Sequence, residues 1–525
     1  MSLRVAFRAD ASVQMGIGHV MRCLTLADSV AAQGGSCLFL CRPFEGHMID
    51  AIRQRGHRAE ALPLTGDTAY GLHPSPPPHA DWLGGDWRSD AAATRTAVTD
   101  FVANWLVVDH YALDRDWQAT ALPGGSRLAV IDDLADRPHL ADLLLDQNYG
   151  RKASDYDGLE TDTCQRLIGP RFALLRPRFA ELREQALERR ATAQPRHLLI
   201  TLGGTDPKNA TGAVLRALAD LDLPEGMRIT VVMGANAPWL ADVKTAAKAL
   251  PCPTEVLVNV ADMAGLMLHA DFCIGAAGST TWERCCLGLP MALLVLAENQ
   301  RPSAEALSRD GVCMVLPSPS EPAFHSAMVD LVTQMATGKT SLALAKTAAA
   351  ICDGAGTTRL LRALSRTPIS LRPASPDDCA FVLHCRNDGE AWRYYKTPKP
   401  TEARQHNAWF SKALNRDDLW LGIAEKGATP VGFVRLDFLA QGRAEVGIAL
   451  AEKFRGEGLG EILLRAAIAE ARTKDITQLD AVVHVDNTAS MALFRACGFR
   501  THGQDGQFAH MDLPLPTPTT KGHDA

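Results

Sequence analysis

Short apolar segments alternate with helical segments in two successive series along this chain. Such alternation predicts parallel βαβ units in a doubly wound sheet. The first series, residues 1–180, has its clearest helices over 19–33 and 45–56 and its strands at RVAF, SCLFLC, WLVVD, RLAVID and DLLLD. The second, residues 181–365, is joined to it by a charged helix over 178–195 and has its strands at HLLITLGG, RITVVMG, TEVLV, DFCIG, MALLVL and VCMVL. We expect two facing Rossmann-like α/β halves with a ligand cleft at their carboxyl strand ends.

The alternation stops at residues 365–376, SRTPISLRPASP, which predict a linker. Residues 369–515 have a different order, in which a strand and helices come before three strands, a glycine-rich turn, a long helix, another strand and a last helix. Four of these strands are LWLGIAE, PVGFVRLDF, AEVGIAL and LDAVVHV. This order predicts a third, mixed α/β domain.

Composition excludes several functional classes. The formal charge of −6 over 525 residues argues against a nucleic-acid partner. No uncharged apolar run approaches 18 residues, and Arg4, Arg8 and Asp10 interrupt the first apolar run, so we expect neither a membrane partner nor a signal peptide. The thirteen cysteines are scattered without a C-x-x-C spacing, which favours a reducing, cytoplasmic compartment and no structural metal.

The segment GIGHVM places Gly16 and Gly18 directly before His19, between a strand and a helix. It matches only part of the dinucleotide fingerprint, because Met21 occupies the third glycine position and the loop from Asp10 is too long. A flexible loop before a helix N-terminus still favours an anion such as a diphosphate. Arg22, one turn further on, is placed to face the same anion. A tight turn with a surface histidine explains this segment alone about as well.

Two further glycine loops in the second series strengthen the nucleotide interpretation. LGGTDPKN contains Gly203 and Gly204, and GAAGSTTWE contains Gly278 before a helix that carries Glu283. A carboxylate in that place can accept hydrogen bonds from both hydroxyls of a ribose. The alternative interpretation is that Glu283 is a solvated helix residue. The presence of three glycine loops at strand ends makes this alternative less favoured.

Over residues 1–360 the sequence resembles the UDP-sugar hydrolases of bacterial pseudaminic acid synthesis. These enzymes are relatives of the lipid II-forming glycosyltransferases and share their glycosyltransferase B-type fold. The resemblance rests on FRADASVQMGIGHVMRCLTLA, DWRSDA, VVDHYALD, IDDLADR, LLLDQN, LLRPRF, LGGTDPKN, GAAGSTTWERCCLGLP and ENQ.

The resemblance implies a role for each matched residue. His19 would be catalytic, and Gly16, Gly18, Arg22, Gly203 and Gly204 would line the substrate site. UDP would be held by Gly278, Ser279, Thr280 and Glu283, with Asn299 and Gln300 of ENQ near the diphosphate and sugar. Some members carry an asparagine where this chain has Trp282, so any role of that asparagine does not transfer.

The implied reaction is hydrolysis of the anomeric C1–O bond of a UDP-amino sugar. His19 would orient or deprotonate the attacking water. Asp86, Asp109 and Asp133 are placed to assist, although turn-forming or capping roles are favoured for them. No metal-ligand cluster is visible in the sequence, so we expect a metal-independent reaction.

The C-terminal region carries a second motif. Arg455, Gly456, Gly458 and Gly460 fit R-x-x-G-x-G between a strand and an apolar-periodic helix, where backbone N–H groups can approach a pyrophosphate. VVHVDNTASMALFRACGF follows at residues 482–499. Together these segments resemble the GNAT superfamily of N-acetyltransferases over about 369–515.

The GNAT resemblance implies acetyl-CoA as co-substrate, bound by this glycine loop and near Asn487 and Ser490. Glu445 is the expected base that removes the amine proton, with His484 as an alternative, and structural roles are as compatible with both. Phe494 stands where the family commonly has a tyrosine that protonates the CoA thiolate, so the general acid is not identified.

Both resemblances together predict a bifunctional enzyme of pseudaminic acid synthesis. It would acetylate the 4-amino group of a UDP-amino sugar and then release UDP from the product. Two alternatives remain open: a UDP-sugar glycosyltransferase with an accessory acetyltransferase, and a UDP-sugar-sensing module that regulates a protein acetyltransferase.

Overall fold

The computed structural model describes residues 2–64, 75–161, 163–192, 195–337, 339–366, 369–456 and 458–515. The chain forms two compact units, one of residues 1–161 and 166–365 and the other of 366–525 with the short segment 162–165. Thr367 and Pro368, in the predicted linker, lie outside the described residues.

The first unit contains two Rossmann-like sheets, which confirms the predicted fold class. The first sheet has the strand order β3-β2-β1-β4-β5-β6-β7, and the pairs from β3 to β6 are parallel. Its strands are β1 Arg4–Ala9, β2 Ser36–Cys41, β3 Arg58–Ala61, β4 Trp105–Asp109, β5 Arg127–Ile131, β6 Leu143–Asp146 and β7 Gln165–Ile168. The sequence did not predict β3 and β7, which are short edge strands and lack a continuous apolar run.

The second sheet repeats this topology with the order β10-β9-β8-β11-β12-β13. All of its strand pairs are parallel. Its strands are β8 His197–Thr201, β9 Arg228–Met233, β10 Thr254–Val258, β11 Phe272–Ala276, β12 Met291–Leu294 and β13 Met314–Leu316. In each sheet the order reverses between two central strands, β1 and β4 or β8 and β11, and ligands of doubly wound sheets bind beyond that point.

Helices separate the strands of both halves. Those of the first half are α1 Gly18–Ala32, α2 Ile49–Gln54, α3 Trp87–Asp100 and α4 Arg115–Ala121. Helix α5 Pro177–Thr192 connects the halves. The second half contains α6 Ala210–Ala219, α7 Leu240–Lys248, α8 Met263–His269, α9 Thr280–Cys286, α10 Arg301–Arg309, α11 Ala323–Thr337, α12 Lys339–Ile351 and α13 Gly356–Leu364.

Helix α13 follows the second half in sequence but packs on the first. Leu360, Leu361 and Leu364 are buried in the same apolar core as strand β1 and helix α1. The indole N–H of Trp105 on β4 also donates to the Leu364 carbonyl over 2.8 Å. The chain therefore crosses between the halves twice, through α5 and before α13.

The second unit is a mixed sheet covered by helices. Its order is β14-β15-β16-β17-β18-β20-β19, and only the β17–β18 pair is parallel among the pairs described. The strands are β14 Ile369–Pro373, β15 Leu419–Lys426, β16 Thr429–Phe438, β17 Arg443–Leu450, β18 Gln478–His484, β19 Arg500–Asp505 and β20 Phe508–Pro514. The helices are α14 Cys379–Asn387, α15 Ala403–Ala413, α16 Leu459–Arg472 and α17 Thr488–Ala496.

The paired region between β17 and β18 is short, and this determines the form of the sheet in the second unit. It joins Arg443–Glu445 to Gln478–Asp480, whereas β17 continues to Leu450 and β18 to His484. The two strands therefore separate beyond Glu445 and leave a gap in the sheet.

No helix within the described ranges is both long and apolar enough to cross a membrane.

A network of buried ion pairs in the first half holds helix α3 against strand β1 and the segment after β2. Asp90 on α3 accepts hydrogen bonds from the guanidinium groups of Arg8 on β1 and Arg42 after β2, each in two-pronged contact at 2.9–3.1 Å. The indole of Trp117 on α4 donates to the same carboxylate over 3.0 Å. Because Arg42 and Asp90 are both buried, loss of the carboxylate would leave the Arg42 guanidinium without a counterion, whereas Arg8 would keep its second carboxylate partner, Asp10.

We predict that Asp90→Ala lowers the free energy of unfolding by roughly 3–5 kcal/mol, because it leaves the buried Arg42 without a carboxylate and removes one of the two carboxylates that Arg8 contacts. Urea denaturation of the full chain measures the change. The matched control is Asp86→Ala on the same helix, where Asp86 only caps α3 through the Ser89 N–H. Loss of that cap is expected to cost about 1 kcal/mol. Equal effects of the two substitutions would contradict the prediction.

Candidate functional site

The glycine loop of the first half connects β1 to α1 at the point where the strand order reverses. Strand β1 ends at Ala9 and α1 begins at Gly18. Gly16 has a φ of 77°, in the left-handed region that favours glycine, and a Cβ at Gly18 would meet no neighbour. The loop therefore delivers His19 to the first turn of α1, as the sequence predicted.

Asp109, the last residue of β4, holds His19 in place. Its Oδ1 lies 2.7 Å from Nδ1 of His19. Because an ionised carboxylate can only accept hydrogen bonds, Nδ1 must carry the proton, and we assign Nε2 as the basic ring nitrogen. The side chain of His19 is 11% exposed while that of Asp109 is fully buried, so Asp109 orients a histidine that remains accessible.

Arg22 extends this pair into a network. Its Nε and Nη2 donate to the two oxygens of Asp109 over 2.5 and 2.6 Å, and its Nη1 lies 2.8 Å from Asp133 Oδ2. Burial alone would raise the pKa of Asp109, but Arg22 and His19 outweigh burial and hold it well below its usual range. Asp109 therefore stays ionised throughout the physiological pH range. Nε and Nη2 of Arg22 are committed to Asp109 and its Nη1 to Asp133, and a contact of Arg22 with substrate stays a prediction.

Aromatic rings line the side of this network next to His19. The ring of Tyr111 meets the imidazole edge to face at 4.7 Å, and its hydroxyl donates to Asp133 over 2.9 Å. Trp82 stacks on Tyr111 at 5.7 Å, and His79 lies 4.7 Å from Trp82. Tyr111 is buried, whereas His79 and Trp82 are partly exposed. The sequence analysis missed this wall because only Tyr111 falls in a matched motif, VVDHYALD.

The glycine loops of the second half lie at the corresponding reversal point. Gly203 follows β8 with a φ of 100°. The carbonyl of Gly204 accepts from the N–H of Gly234 over 2.9 Å, and a Cβ at Gly234 would approach that oxygen to 2.4 Å. The loops after β8 and β9 are therefore in backbone contact.

The loop after β11 carries most of the residues predicted to hold UDP. Gly278 precedes Ser279, which is exposed, and Thr280 begins α9. A Cβ at Gly278 would lie 3.7 Å from Nε2 of Gln300, so the loop lies next to the ENQ segment. Oε1 of Gln300 accepts from the Leu296 N–H over 3.1 Å, which fixes its amide. Asn299 is exposed beside it.

Glu283 lies one turn into α9 with its side chain 15% exposed. Its Oε1 is 3.4 Å from Nη2 of Arg176, a residue between the halves in the matched segment LLRPRF. Burial raises the pKa of Glu283 above its ordinary value, and Arg176 opposes the shift. The sequence predicted this glutamate and marked Arg176 only as a residue of a matched segment, without indicating that the two residues, 107 positions apart, are in contact.

Two residues of the matched motifs have structural roles. Asp86 caps α3 by accepting from the Ser89 N–H over 2.8 Å, as the favoured capping role required. Trp282 is only 4% exposed and packs in the core of the second half, so it does not face a ligand.

The glycine-rich turn of the second unit joins β17 to α16. Gly456 and Gly458 have φ values of 78° and 73°, and Gly458 is the residue before the first turn of α16. A Cβ at Gly460 would lie 3.2 Å from Leu493 on α17. The third glycine of the motif therefore allows α16 and α17 to pack closely. Nε of Arg455 donates to the Leu450 carbonyl over 3.0 Å and so braces the turn against the end of β17.

Glu445 and His484, the two candidate bases, lie on opposite sides of the gap between β17 and β18. Glu445 is at the last paired position, with Oε1 3.9 Å from Nη2 of Arg435. His484 ends β18, and its ring lies between Phe508 at 5.2 Å and Tyr394 at 5.6 Å. The geometry brings both to the gap and does not select between them.

The remaining predicted cofactor residues cluster at the start of α17. The side chain of Asn487 caps this helix by accepting from the Ser490 N–H over 3.1 Å. Phe494 is 6% exposed and meets Phe499 edge to face at 4.9 Å within the core. Phe494 therefore has a packing role in the core of the second unit.

Across the described ranges, no group of three or more histidine, cysteine, aspartate or glutamate side chains is placed to hold a metal ion.

Asp146, at the end of β6, is a further titratable group at this edge of the first sheet. Its Oδ2 accepts from the Tyr156 hydroxyl over 2.9 Å and from Nε of Arg151 over 2.7 Å. Burial raises the pKa of Asp146 to about 7, and the charge of Asp133 adds to the effect. This carboxyl therefore titrates near neutral pH, unlike Asp109.

Comparison with known proteins relates each part of the chain to a different group. Residues 369–500 match the acetyltransferase (GNAT) domain family. An uncharacterized protein of Methanocaldococcus jannaschii is 21% identical over 510 residues, which cover 95% of this chain and 97% of that protein.

The UDP-2,4-diacetamido-2,4,6-trideoxy-beta-L-altropyranose hydrolase of Campylobacter jejuni is 26% identical over 310 residues, or 59% of this chain and 97% of that enzyme. The crystal structure of Acinetobacter baumannii MurG aligns with a TM-score of 0.52 at 15% identity and covers 69% of this chain and 99% of MurG. MurG thus shows a likeness of fold. The chain joins a module similar to the UDP-sugar hydrolase to a C-terminal GNAT acetyltransferase domain.

We predict that the stability of the first unit falls as pH rises from about 5 to about 8, partly through Asp146. Its unfolded pKa is near 3.9, so between that value and about 7 the folded chain holds a proton that the unfolded chain has lost. A raised carboxyl pKa contributes stability at low pH, and this contribution is lost as pH rises through 7.

Urea denaturation of wild type and Asp146→Asn at pH 5 and pH 8 measures this effect. The difference between the two proteins is expected to change by about 2–3 kcal/mol, with the wild type losing more. Asp142→Asn is the control: Asp142 is a partly exposed aspartate directly before β6 that accepts a hydrogen bond from the Leu128 N–H over 2.8 Å, and this variant is expected to parallel the wild type. A difference independent of pH would refute the assignment.

Proposed function

We propose that the first unit hydrolyses a UDP-linked amino sugar and that the second unit acetylates the 4-amino group of the same class of sugar. The observation that carries the hydrolase proposal is the contact of His19 with buried Asp109 at the strand-order reversal of the first sheet. The name of the Campylobacter jejuni relative supports the sugar class. In this sequence of reactions acetylation comes first, and hydrolysis then releases UDP and the free diacetamido sugar.

The arrangement around His19 fits a general base. A water oxygen forms a bond to the anomeric C1 as the C1–O bond breaks, and the electron pair of that bond leaves with UDP. The water proton passes to Nε2 of His19, and Asp109 stabilises the imidazolium that forms. Arg22 keeps Asp109 ionised and correctly oriented, because it donates to both carboxylate oxygens.

The second sheet supplies the nucleotide side of this proposal. Gly278, Ser279 and Thr280 present backbone N–H groups to the diphosphate, and donors fixed in advance stabilise the negative charge that grows as UDP leaves. Glu283 accepts hydrogen bonds from the ribose hydroxyls. The neighbouring amide of Gln300 and the exposed Asn299 are placed for the diphosphate and sugar.

The gap between β17 and β18 fits an acetyl-CoA-dependent transfer. Strand β17 beyond Glu445 has backbone groups that β18 does not pair, and the turn through Gly456 and Gly458 lies at its end. In the proposed reaction the amine nitrogen forms a bond to the thioester carbonyl carbon, and the C–S bond breaks with its electron pair going to sulfur. Glu445 takes the amine proton directly or through water, with His484 as the second candidate.

One experiment tests both activities. The full-length protein is supplied with UDP-4-amino-4,6-dideoxy-N-acetyl-altrosamine and acetyl-CoA, and both products are followed by phosphorus NMR and mass spectrometry. The proposal requires N-acetylation followed by UDP release without any added acceptor. A glycosyltransferase would release little UDP in that mixture, and a regulated protein acetyltransferase would acetylate peptides instead of the amino sugar.

We predict that His19→Ala slows UDP release by about 10²–10⁴-fold, the usual contribution of a general base, while acetyl transfer is unchanged. The control is His57→Ala, because His57 also contacts an aspartate, Asp28, but lies before β3. The control should retain its hydrolysis rate. A full rate in His19→Ala would remove His19 from the mechanism.

We predict that Glu283→Ala weakens UDP binding by roughly ten- to a hundredfold, because hydrogen bonds to a charged group are worth about 1.5–3 kcal/mol. Calorimetry with UDP measures the affinity. Glu181→Ala removes a glutamate that pairs with Arg178 on the surface of α5, and this control should leave the affinity unchanged. Unchanged affinity in Glu283→Ala would place the ribose contact elsewhere.

A further inference from the structure

Arg284 on α9 is a fully buried cation directly beneath the loop after β11. Its Nη2 donates to the carbonyl of Ala276 over 2.6 Å and to Oγ1 of Thr281 over 3.0 Å. Its Nη1 lies 3.8 Å from the sulfur of Cys273. The guanidinium therefore joins the last residue of β11 to the start of α9, and it does so from inside the protein.

The backbone beneath the loop is shaped to hold this guanidinium. A Cβ at Gly275 would lie 1.6 Å from Nη1 of Arg284. No side chain other than hydrogen fits there while Arg284 keeps its place. Gly275, the residue before Ala276, therefore leaves the space that the buried guanidinium of Arg284 occupies.

Arg284 makes no ion-pair contact with a carboxylate among the described residues, although its charge acts on Glu283 and opposes the effect of burial on the pKa of that carboxyl. Its Nε also lacks a hydrogen-bond partner there. Glu283, its neighbour in sequence, pairs with Arg176 instead. By contrast, the buried Arg8 and Arg22 of the first half each contact two carboxylates. Burying an ion without its counterion is expensive, so its presence here calls for a negative charge that arrives from outside.

We propose that Arg284 is a positioning residue whose buried positive charge attracts the diphosphate of the nucleotide to the loop above it. This inference rests on the proposed UDP site. The guanidinium holds the Ala276 carbonyl and Thr281 in place. Its charge acts through a water-poor interior in which electrostatic interactions are screened little. The exposed Ser279 and the adjacent Gly278 form the surface on which the diphosphate then lies.

A second buried arginine, Arg190, makes it possible to distinguish the proposed electrostatic role of Arg284 from a purely structural one. Arg190 on α5 is 6% exposed and donates to the carbonyls of Ala186, Met267 and Ala270. Ala270 precedes the amino end of β11, whereas Arg284 lies at the carboxyl end of the same strand. Both arginines therefore brace backbone carbonyls, but only Arg284 lies beneath the glycine loop.

The test compares ligands of decreasing charge. Affinities of full-length wild type, Arg284→Met and Arg190→Met are measured for UDP, UMP and uridine by calorimetry and ligand-observed NMR. Arg284→Met is expected to lose on the order of tenfold or more in affinity for UDP, less for UMP and about twofold or less for uridine. Arg190→Met is expected to lower the melting temperature and to leave the ratio of the UDP and uridine affinities unchanged.

An equal loss for all three ligands in Arg284→Met would overturn the inference, because it would show that Arg284 only maintains the loop. Absence of UDP binding in the wild type would overturn the proposed nucleotide site, and the inference with it. If Arg284→Met does not fold, Arg284→Lys decides the matter, because it keeps the charge and loses the two-pronged contact. It should retain the wild-type ratio of UDP to uridine affinity, and a collapse of that ratio would refute the electrostatic role.

Discussion

The carboxylate of Asp109 is the interaction on which the first half of the candidate site depends. It is fully buried at the end of β4. It contacts both His19 and Arg22, which lie in the first turns of α1. Without it, the glycine loop would deliver a histidine of undefined orientation, and Arg22 would have only Asp133 as a counterion among the described residues. With it, the tautomer of His19 is set and Arg22 is held toward Asp133. The reversal of strand order between β1 and β4 makes this contact possible, because it places the two strand ends side by side.

The second sheet uses the same topology for a different purpose. Its reversal lies between β8 and β11, and glycine loops follow both strands. In place of a histidine and carboxylates, this edge has backbone groups, the amide of Gln300 and the carboxylate of Glu283. One sheet is therefore equipped to move a proton and the other to hold an anion. Hydrolysis of a nucleotide sugar needs both functions, one on each side of the C1–O bond.

Local sequence patterns predicted the elements and the residues that local geometry controls. The glycines before His19, the helix of Glu283 and the glycine turn at Gly458 follow from strand, turn and helix signals within a few residues. Asp109 and Tyr111 were visible only as residues of a matched motif, because their approach to His19 depends on which strands are neighbours in the sheet. Arg176 was likewise visible only as a residue of the matched segment LLRPRF, since its contact with Glu283 joins distant parts of the chain.

Edge strands set another limit on prediction. Strands β3 and β19 carry exposed or partly exposed residues, so they lack the apolar runs that mark a buried strand. They form because a neighbouring strand offers unpaired backbone groups. The separation of β17 and β18 is likewise invisible in the sequence, although it decides what Glu445 and His484 can reach. Pairing between strands depends on the whole sheet, whereas hydrophobic periodicity and composition describe one segment at a time.

The distribution of buried arginines follows the division between the two sheets. Arg8, Arg22 and Arg42 in the first half each meet carboxylates, so this half has satisfied its cations internally. Arg190 and Arg284 in the second half donate to backbone carbonyls and make no ion-pair contact with a described carboxylate, although the charges of Asp271 and Glu283 act on them from a greater distance. A half that keeps uncompensated positive charge in its interior favours an anionic ligand, since the ligand supplies the missing charge. A half whose charges are already paired suits a neutral sugar and a water molecule. The polarity of a nucleotide sugar, with its charge at the diphosphate and its reactive carbon at the other side, matches this asymmetry.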